Sequence, residues 1–241
     1  MSNDVQKPAL PIALVSGVSS GIGLNVALQL KKAGYKVYGL SRKATQSSAA
    51  AEGIECRDVD VRQVTDLRAT VASIEAAEGR IDLLVNAAGV LSIEKSESVT
   101  EETFAAQVET SFRGAFFLSQ AVIPLMIRQN RGLIINIGSV VGELPSPKMA
   151  VYAAAKAAVI SLSKSLAAEY VTAGIRVICV SPGVVQTGLV DKMLLAMMAK
   201  KTPLQRPFSA EEVARFIVEV AVHYPDGLTG ANLTYAGGMN V

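Results

Sequence analysis

The chain has one histidine, two cysteines and no tryptophan, and aromatic residues make up only 5% of it. A lone His223 cannot build a histidine-rich metal site and leaves little room for Ser-His-Asp chemistry. Cys56 and Cys179 are too few for a zinc or iron–sulfur ligand set, so no metal is expected. They read instead as buried free thiols of a reducing cytoplasm, although the count alone also permits one disulfide. Charge is scarce as well. The 23 basic and 21 acidic side chains leave a formal charge of +2, which gives no ground for nucleic acid as the main partner. Long apolar runs are missing: residues 9–15 are too few to cross a bilayer. Residues 1–7 are polar and carry Asp4, unlike a signal peptide. The expectation is a soluble cytoplasmic protein with no membrane partner.

Aliphatic side chains are abundant, and 50% of the 241 residues are hydrophobic, enough for a sizeable core. Short β-branched runs at 12–16, 36–40, 54–59, 81–86, 133–138, 175–181 and 232–235 predict strands. Most are apolar throughout, as in parallel strands covered on both faces. Helical segments are predicted near 21–33, 65–78, 101–129, 152–172 and 210–222. The last begins with a capping box, Ser209 with Glu212 three residues on. Repeated strand–helix–strand order predicts an α/β fold, a doubly wound sheet with helices on both faces. With no linker-like stretch and no repeat, residues 1–241 are read as one domain. Ligands of such sheets bind beyond the carboxyl ends of the strands, where strand order reverses.

The first predicted strand runs into Ser16-Gly17-Val18-Ser19-Ser20-Gly21-Ile22-Gly23. Gly17 permits a tight turn, Gly21 a close backbone approach, and Gly23 close packing of helix on sheet. Amide groups at the helix start then face a pyrophosphate, which predicts a dinucleotide. After the second strand comes Ser41-Arg42-Lys43, where an acidic residue would select a free ribose hydroxyl. The Arg42 guanidinium and Ser41 hydroxyl suit a 2′-phosphate instead, so NADP(H) is the expected cofactor. Tyr152 and Lys156 are four residues apart and share one face of a helix, thirteen and more residues past Ser139. An ammonium beside a phenol is expected to lower the phenol pKa from about 10. That phenol would exchange a proton with a carbonyl or alcohol oxygen while hydride moves at carbon, with Ser139 bonding the same oxygen.

Taken together, Gly17-x3-Gly21-x-Gly23, Asn86-Ala87-Ala88-Gly89, Ser139, Tyr152-x3-Lys156, Pro182-Gly183 and Thr187 resemble the short-chain dehydrogenase/reductase family over nearly the whole chain. The resemblance implies a seven-stranded parallel Rossmann sheet. It implies Tyr152 as catalytic acid/base, Lys156 as its activator and a ribose ligand, and Ser139 as holder of the substrate oxygen. Gly17, Ser19, Ser20, Gly21, Ile22 and Gly23 would line the pyrophosphate, and Ser41 with Arg42 the adenosine phosphate. Asp60 and Val61 would border the adenine, Asn86 and Gly89 the adenosine side and the cofactor path. Pro182, Gly183, Val185 and Thr187 would border the nicotinamide. Ser16 replaces a common threonine and Ala87 a common asparagine. Ser111 stands where the family often has an asparagine that holds a relay water.

Residues 188–206 are expected to form a short lid, and their leucines and methionines an apolar, adaptable pocket wall. The same side chains suit packing on the sheet or on a neighbouring subunit. Lys200 and Lys201 would attract an acidic substrate if they faced it. The substrate is expected to be an apolar ketone or secondary alcohol. Overall the chain is most similar to 3-oxoacyl-[acyl-carrier-protein] reductases. That subgroup commonly has a basic residue where this chain has Thr172-Ala173-Gly174; Arg128 and Arg131 supply positive charge elsewhere. A non-catalytic dinucleotide-binding regulator or scaffold is the alternative of another class. The family also implies a homotetramer or homodimer, and Ala153, Ala154, Ala157, Ala158, Ala167 and Ala168 would let helices approach closely.

Overall fold

The computed structural model describes residues 10–188, 191–200, 202–223 and 227–239. Residues 189, 190 and 201 of the expected lid lie outside the described residues. The first half of the chain alternates β1 (Ile12–Ser16), α1 (Gly21–Lys32), β2 (Lys36–Ser41), α2 (Ser48–Ala51), β3 (Glu55–Asp58), α3 (Val64–Glu78) and β4 (Leu83–Asn86). Then come α4 (Glu101–Val108), α5 (Gly114–Gln129), β5 (Gly132–Ile137), α6 (Ala150–Tyr170) and β6 (Ile175–Pro182). The chain closes with β7 (Val185–Gln186), α7 (Lys192–Ala199), β8 (Phe208–Ser209), α8 (Ala210–His223) and β9 (Asn232–Tyr235).

Seven strands pair in the order β3-β2-β1-β4-β5-β6-β9, all parallel, and β7 with β8 form a separate two-stranded ribbon. The order reverses between β1 and β4, opening a crevice at their carboxyl ends. All five β1 residues are buried, which explains why that strand carries no polar alternation. On one face Leu14, Ile74, Leu118, Met126 and Ile134 pack among α3, α5 and the sheet. On the other, Val15, Leu30, Ile135, Val180 and Ile217 pack beneath α1 and α8. Burial on two faces requires right-handed crossovers that place helices on each side. This is a Rossmann-like α/β sheet.

The caps follow local chemistry. The Ser209 amide donates to Glu212 Oε2 at 2.8 Å, and the Glu212 amide donates to Ser209 Oγ at 3.0 Å, which forms the expected capping box. Val213, Ala214, Ile217 and Val220 then bury one stripe of α8. The single helix expected over 101–129 is instead α4 and α5 joined by a wider π turn at Glu109–Arg113. The turn adds a residue to the helical path and brings Ser111 inward, where it is buried. Helical periodicity is continuous through it, which is why the sequence shows no boundary. The stretches Glu101–Gln129 and Ala150–Ala173 are long and apolar enough to cross a membrane, but half of each apolar window is buried inside the protein. Both cysteines are free; Cys179 is buried, whereas Cys56 is only half-buried, contrary to expectation.

Candidate active site

The carboxyl ends of the strands enclose a cleft of about 740 Å³. Every residue expected at the site lines it except Asn86. Its floor is the turn after β1. Gly17 has φ +78°, and a Cβ there would stand 2.9 Å from the backbone of Ala87 and Ala88. A Cβ on Gly23 would stand 2.4 Å from the Gly17 carbonyl oxygen, so α1 rests directly on the turn. Ser16 Oγ accepts from the amides of Ala87 and Ala88 at 3.1 and 3.2 Å, tying β1 to the loop after β4. The hydroxyl that serine shares with threonine therefore has a defined task. Thr187 closes the opposite rim, its Cβ 3.2 Å from where a Gly21 Cβ would lie.

One end of the cleft is charged. Arg42 and Lys43 follow β2, and Asp60 with Arg62 follow β3. Ser41 Oγ is buried there with no hydrogen-bond partner among the described residues. An orphaned hydroxyl beside two cations, above a turn that admits no side chain, fits a phosphorylated dinucleotide. Arg62 escaped the sequence reading, which stopped at Val61; its place two residues past Asp60 was the available signal.

Ser139, Tyr152 and Lys156 meet midway along the cleft. Ser139 lies two residues past the end of β5 and Tyr152 in the first turn of α6, which places Lys156 one turn later. Ser139 is close enough to the Tyr152 phenol for its hydroxyl to favour the phenolate. Lys156 is only 4% exposed; its Nζ donates to the Ile137 carbonyl at 2.7 Å and lies 5.7 Å from the Tyr152 ring centroid. Burial pushes the Lys156 ammonium down to about 8. Burial also raises the Tyr152 phenol, and the Ser139 hydroxyl only opposes that rise. This reverses the expected direction for the phenol. The physical reason is that the phenol is withdrawn from water, which disfavours its anion. A Cβ on Gly89 would lie 3.6 Å from Ser111 Oγ and 3.7 Å from Lys156 Nζ, so the inward-facing Ser111 borders the same spot.

The far end is apolar, formed by Val141, Met149, Leu195, Met198 and Met239. Leu195 and Met198 come from α7, inside the expected lid. Met149 precedes Tyr152 by three residues and was legible from helical spacing. Met239 follows β9 and reaches the cleft only through tertiary folding.

Asn86 needs correction. Its Nδ2 donates to Asn136 Oδ1 at 2.8 Å and to Ser119 Oγ at 3.1 Å, while Asn136 Nδ2 donates to Ser163 Oγ at 2.9 Å. It is 5% exposed, and its amide is held in a polar seam between α5 and α6 and does not line the cleft. Asn86→Ala would leave buried partners unsatisfied and is expected to cost about 1–3 kcal/mol in thermal or denaturant unfolding, with little change in cofactor affinity.

A family model described as short chain dehydrogenase matches residues 11–196. A 3-oxoacyl-[acyl-carrier-protein] reductase, FabG, of Staphylococcus aureus is 33% identical over 240 residues, covering 94% of this chain and 97% of that protein. Oxidoreductase UcpA of Salmonella typhimurium is 34% identical over 250 residues, covering 95% and 94%. The solved structure of ElxO with NADP bound superposes with a TM-score of 0.88 at 27% identity, over 95% of this chain and 98% of that one. From the matched family model, the cleft and these relatives, the chain belongs to the short-chain dehydrogenase/reductase family of oxidoreductases.

Proposed function

We propose that the chain interconverts an apolar ketone and a secondary alcohol with NADP(H), using Tyr152 as acid/base. The carrying observation is one cleft with cations at one end, the Ser139–Tyr152–Lys156 constellation in its middle and methionines at the other. The nicotinamide supplies or accepts the hydride when bound. Gly17 to Gly23 present backbone amides to its pyrophosphate, and Ser41 with Arg42 hold the adenosine phosphate. Lys156 holds the ribose, while Pro182, Gly183, Val185 and Thr187 border the nicotinamide. Asp60, Val61 and Gly89 border the remaining path.

Ser139 Oγ donates to the substrate carbonyl oxygen and fixes its position. The Tyr152 hydroxyl then transfers its proton to that oxygen as negative charge develops there. Because burial raises the phenol, it remains protonated at neutral pH, which suits the reductive direction. The Lys156 ammonium, on the buried side, stabilises the phenolate that Tyr152 becomes once its proton has passed to the substrate oxygen. Val141, Met149, Leu195, Met198 and Met239 shield the reacting carbon from water and select apolar substituents. No charged side chain among the described residues lines that end, which disfavours small acidic substrates.

A 3-oxoacyl thioester is the specific second reading, favoured by likeness to the Staphylococcus aureus reductase. Arg128, one source of charge for a carrier protein, is already paired with Glu75. The same proposal includes a homodimer or homotetramer, supported by exposed Phe104 and Ile127 on α4 and α5. The test is loss of NADPH absorbance with a panel of aliphatic, cyclic and aromatic ketones and a 3-oxoacyl thioester. Turnover of neutral ketones is expected; inactivity across the panel, with NADPH still bound, would favour the non-catalytic binding reading.

A further inference from the structure

The phosphate end of the cleft contains one carboxylate, and its position raises a charge problem. Asp60 lines the same wall as Arg42 and Lys43. A bare carboxylate there would repel a phosphate dianion and compete for Arg42. Toward an uncharged ribose hydroxyl it would exert no such repulsion and could accept a hydrogen bond. Asp60 is not bare. Arg62 Nε lies 3.1 and 3.0 Å from its two carboxylate oxygens, Arg62 Nη2 lies 2.6 Å from Oδ2, and the Arg62 amide donates to Oδ1 at 3.0 Å.

We propose that Arg62 masks the charge of Asp60 and is thereby a specificity-determining residue for 2′-phosphorylated nucleotides. The inference rests on the NADP(H) reading above. Arg62 acts through its partner as a positioning residue. The planar guanidinium fork matches the carboxylate and covers both oxygens, which a lysine point charge does less completely. The segment that carries the pair is itself held in place. Arg113 Nη1 donates to the Arg62 carbonyl at 2.6 Å, and a Cβ on Gly114 would stand 2.9 Å from Val61 Cγ2, so the segment packs flush on the start of α5. The Arg62 and Asp60 side chains are 37% and 21% exposed, open enough for the cleft to sense whether their charges cancel. Arg42 lies near enough to help Arg62 hold the Asp60 carboxyl below its usual range. Removing Arg62 would thus turn Asp60 toward Arg42, the cation that the phosphate needs.

The test is calorimetric titration of NADPH and NADH into the wild-type protein, Arg62→Gln, Arg62→Lys, Asp60→Asn and the Asp60→Asn/Arg62→Gln double variant. The wild type should bind NADPH more tightly than NADH. Arg62→Gln should weaken NADPH about tenfold and NADH by less than about twofold. Arg62→Lys should retain part of the preference, and the double variant should regain most of it because no carboxylate is left to mask. An equal loss for both nucleotides would assign Arg62 a purely structural role and overturn the inference. A loss of preference that persists in the double variant would show Arg62 touching the phosphate itself, and would overturn it too. A wild-type protein without NADPH preference would overturn the underlying cofactor reading, a result distinguishable from either of these.

Discussion

Tyr152→Phe is expected to lower turnover by about 10²- to 10⁴-fold while leaving NADPH affinity nearly unchanged. The substitution keeps the ring and its packing in α6 and removes only the phenol oxygen beside Ser139. Cofactor titration and steady-state rates on the same preparation separate the two effects. Near-native turnover would end the assignment of Tyr152 as acid/base. The intact protein should show a matching pH signature. Reduction needs the phenol protonated, and the raised phenol supplies that form across neutral pH. Lys156, held near 8 by burial, loses its charge as pH rises through that value. The kcat/KM profile for reduction, which reports groups of the free enzyme, is therefore expected to be level below about 8 and to fall above it.

Gly17→Ala should produce the second large effect, this time on binding and stability together. The residue sits at φ +78°, a left-handed conformation that costs a residue with a Cβ about 1–2 kcal/mol. Its Cβ would also press at 2.9 Å on the backbone of Ala87 and Ala88. Backbone atoms cannot swing aside like a side-chain tip, so overpacking adds about 1–3 kcal/mol. The combined loss should appear as a lower melting temperature. The shift of the loop after β4 should also break the paired amide bonds to Ser16 Oγ and weaken NADPH binding. A variant that melts like the wild type and binds NADPH as tightly would show that the turn tolerates a side chain.

Much of this architecture was legible because parallel strands buried on both faces leave unbroken apolar runs, as in Ile12–Ser16. The site was legible because ligands gather at strand ends, so a list of polar residues following each strand is already a list of cleft residues. What escaped has physical causes. Asn86 is the last residue of β4, and neither its number nor its chemistry says which side of the sheet its amide meets. The partners that claim it, Ser119 and Asn136, come from other elements. The π turn at Glu109–Arg113 is hidden because a wide turn preserves helical composition. The direction of the Tyr152 shift depends on burial, which spacing does not encode. Met239 reaches the cleft from beyond the last strand and illustrates the limit of local pattern.

The seam of Ser119, Asn86, Asn136 and Ser163 links α5 to α6 across the carboxyl ends of β4 and β5. By contrast α7 leaves Met193 and Met197 largely in solvent and anchors mainly through Leu195 and Ala199. The two regions are therefore expected to open as different cooperative units in hydrogen exchange. Amides of α7 are expected to exchange at a free-energy cost well below that of global unfolding, and those of the platform carrying Tyr152 only when the whole sheet opens. On that expectation, a molecule held at the apolar end would come and go many times within the lifetime of one folded molecule, while Ser139, Tyr152 and Lys156 keep their alignment.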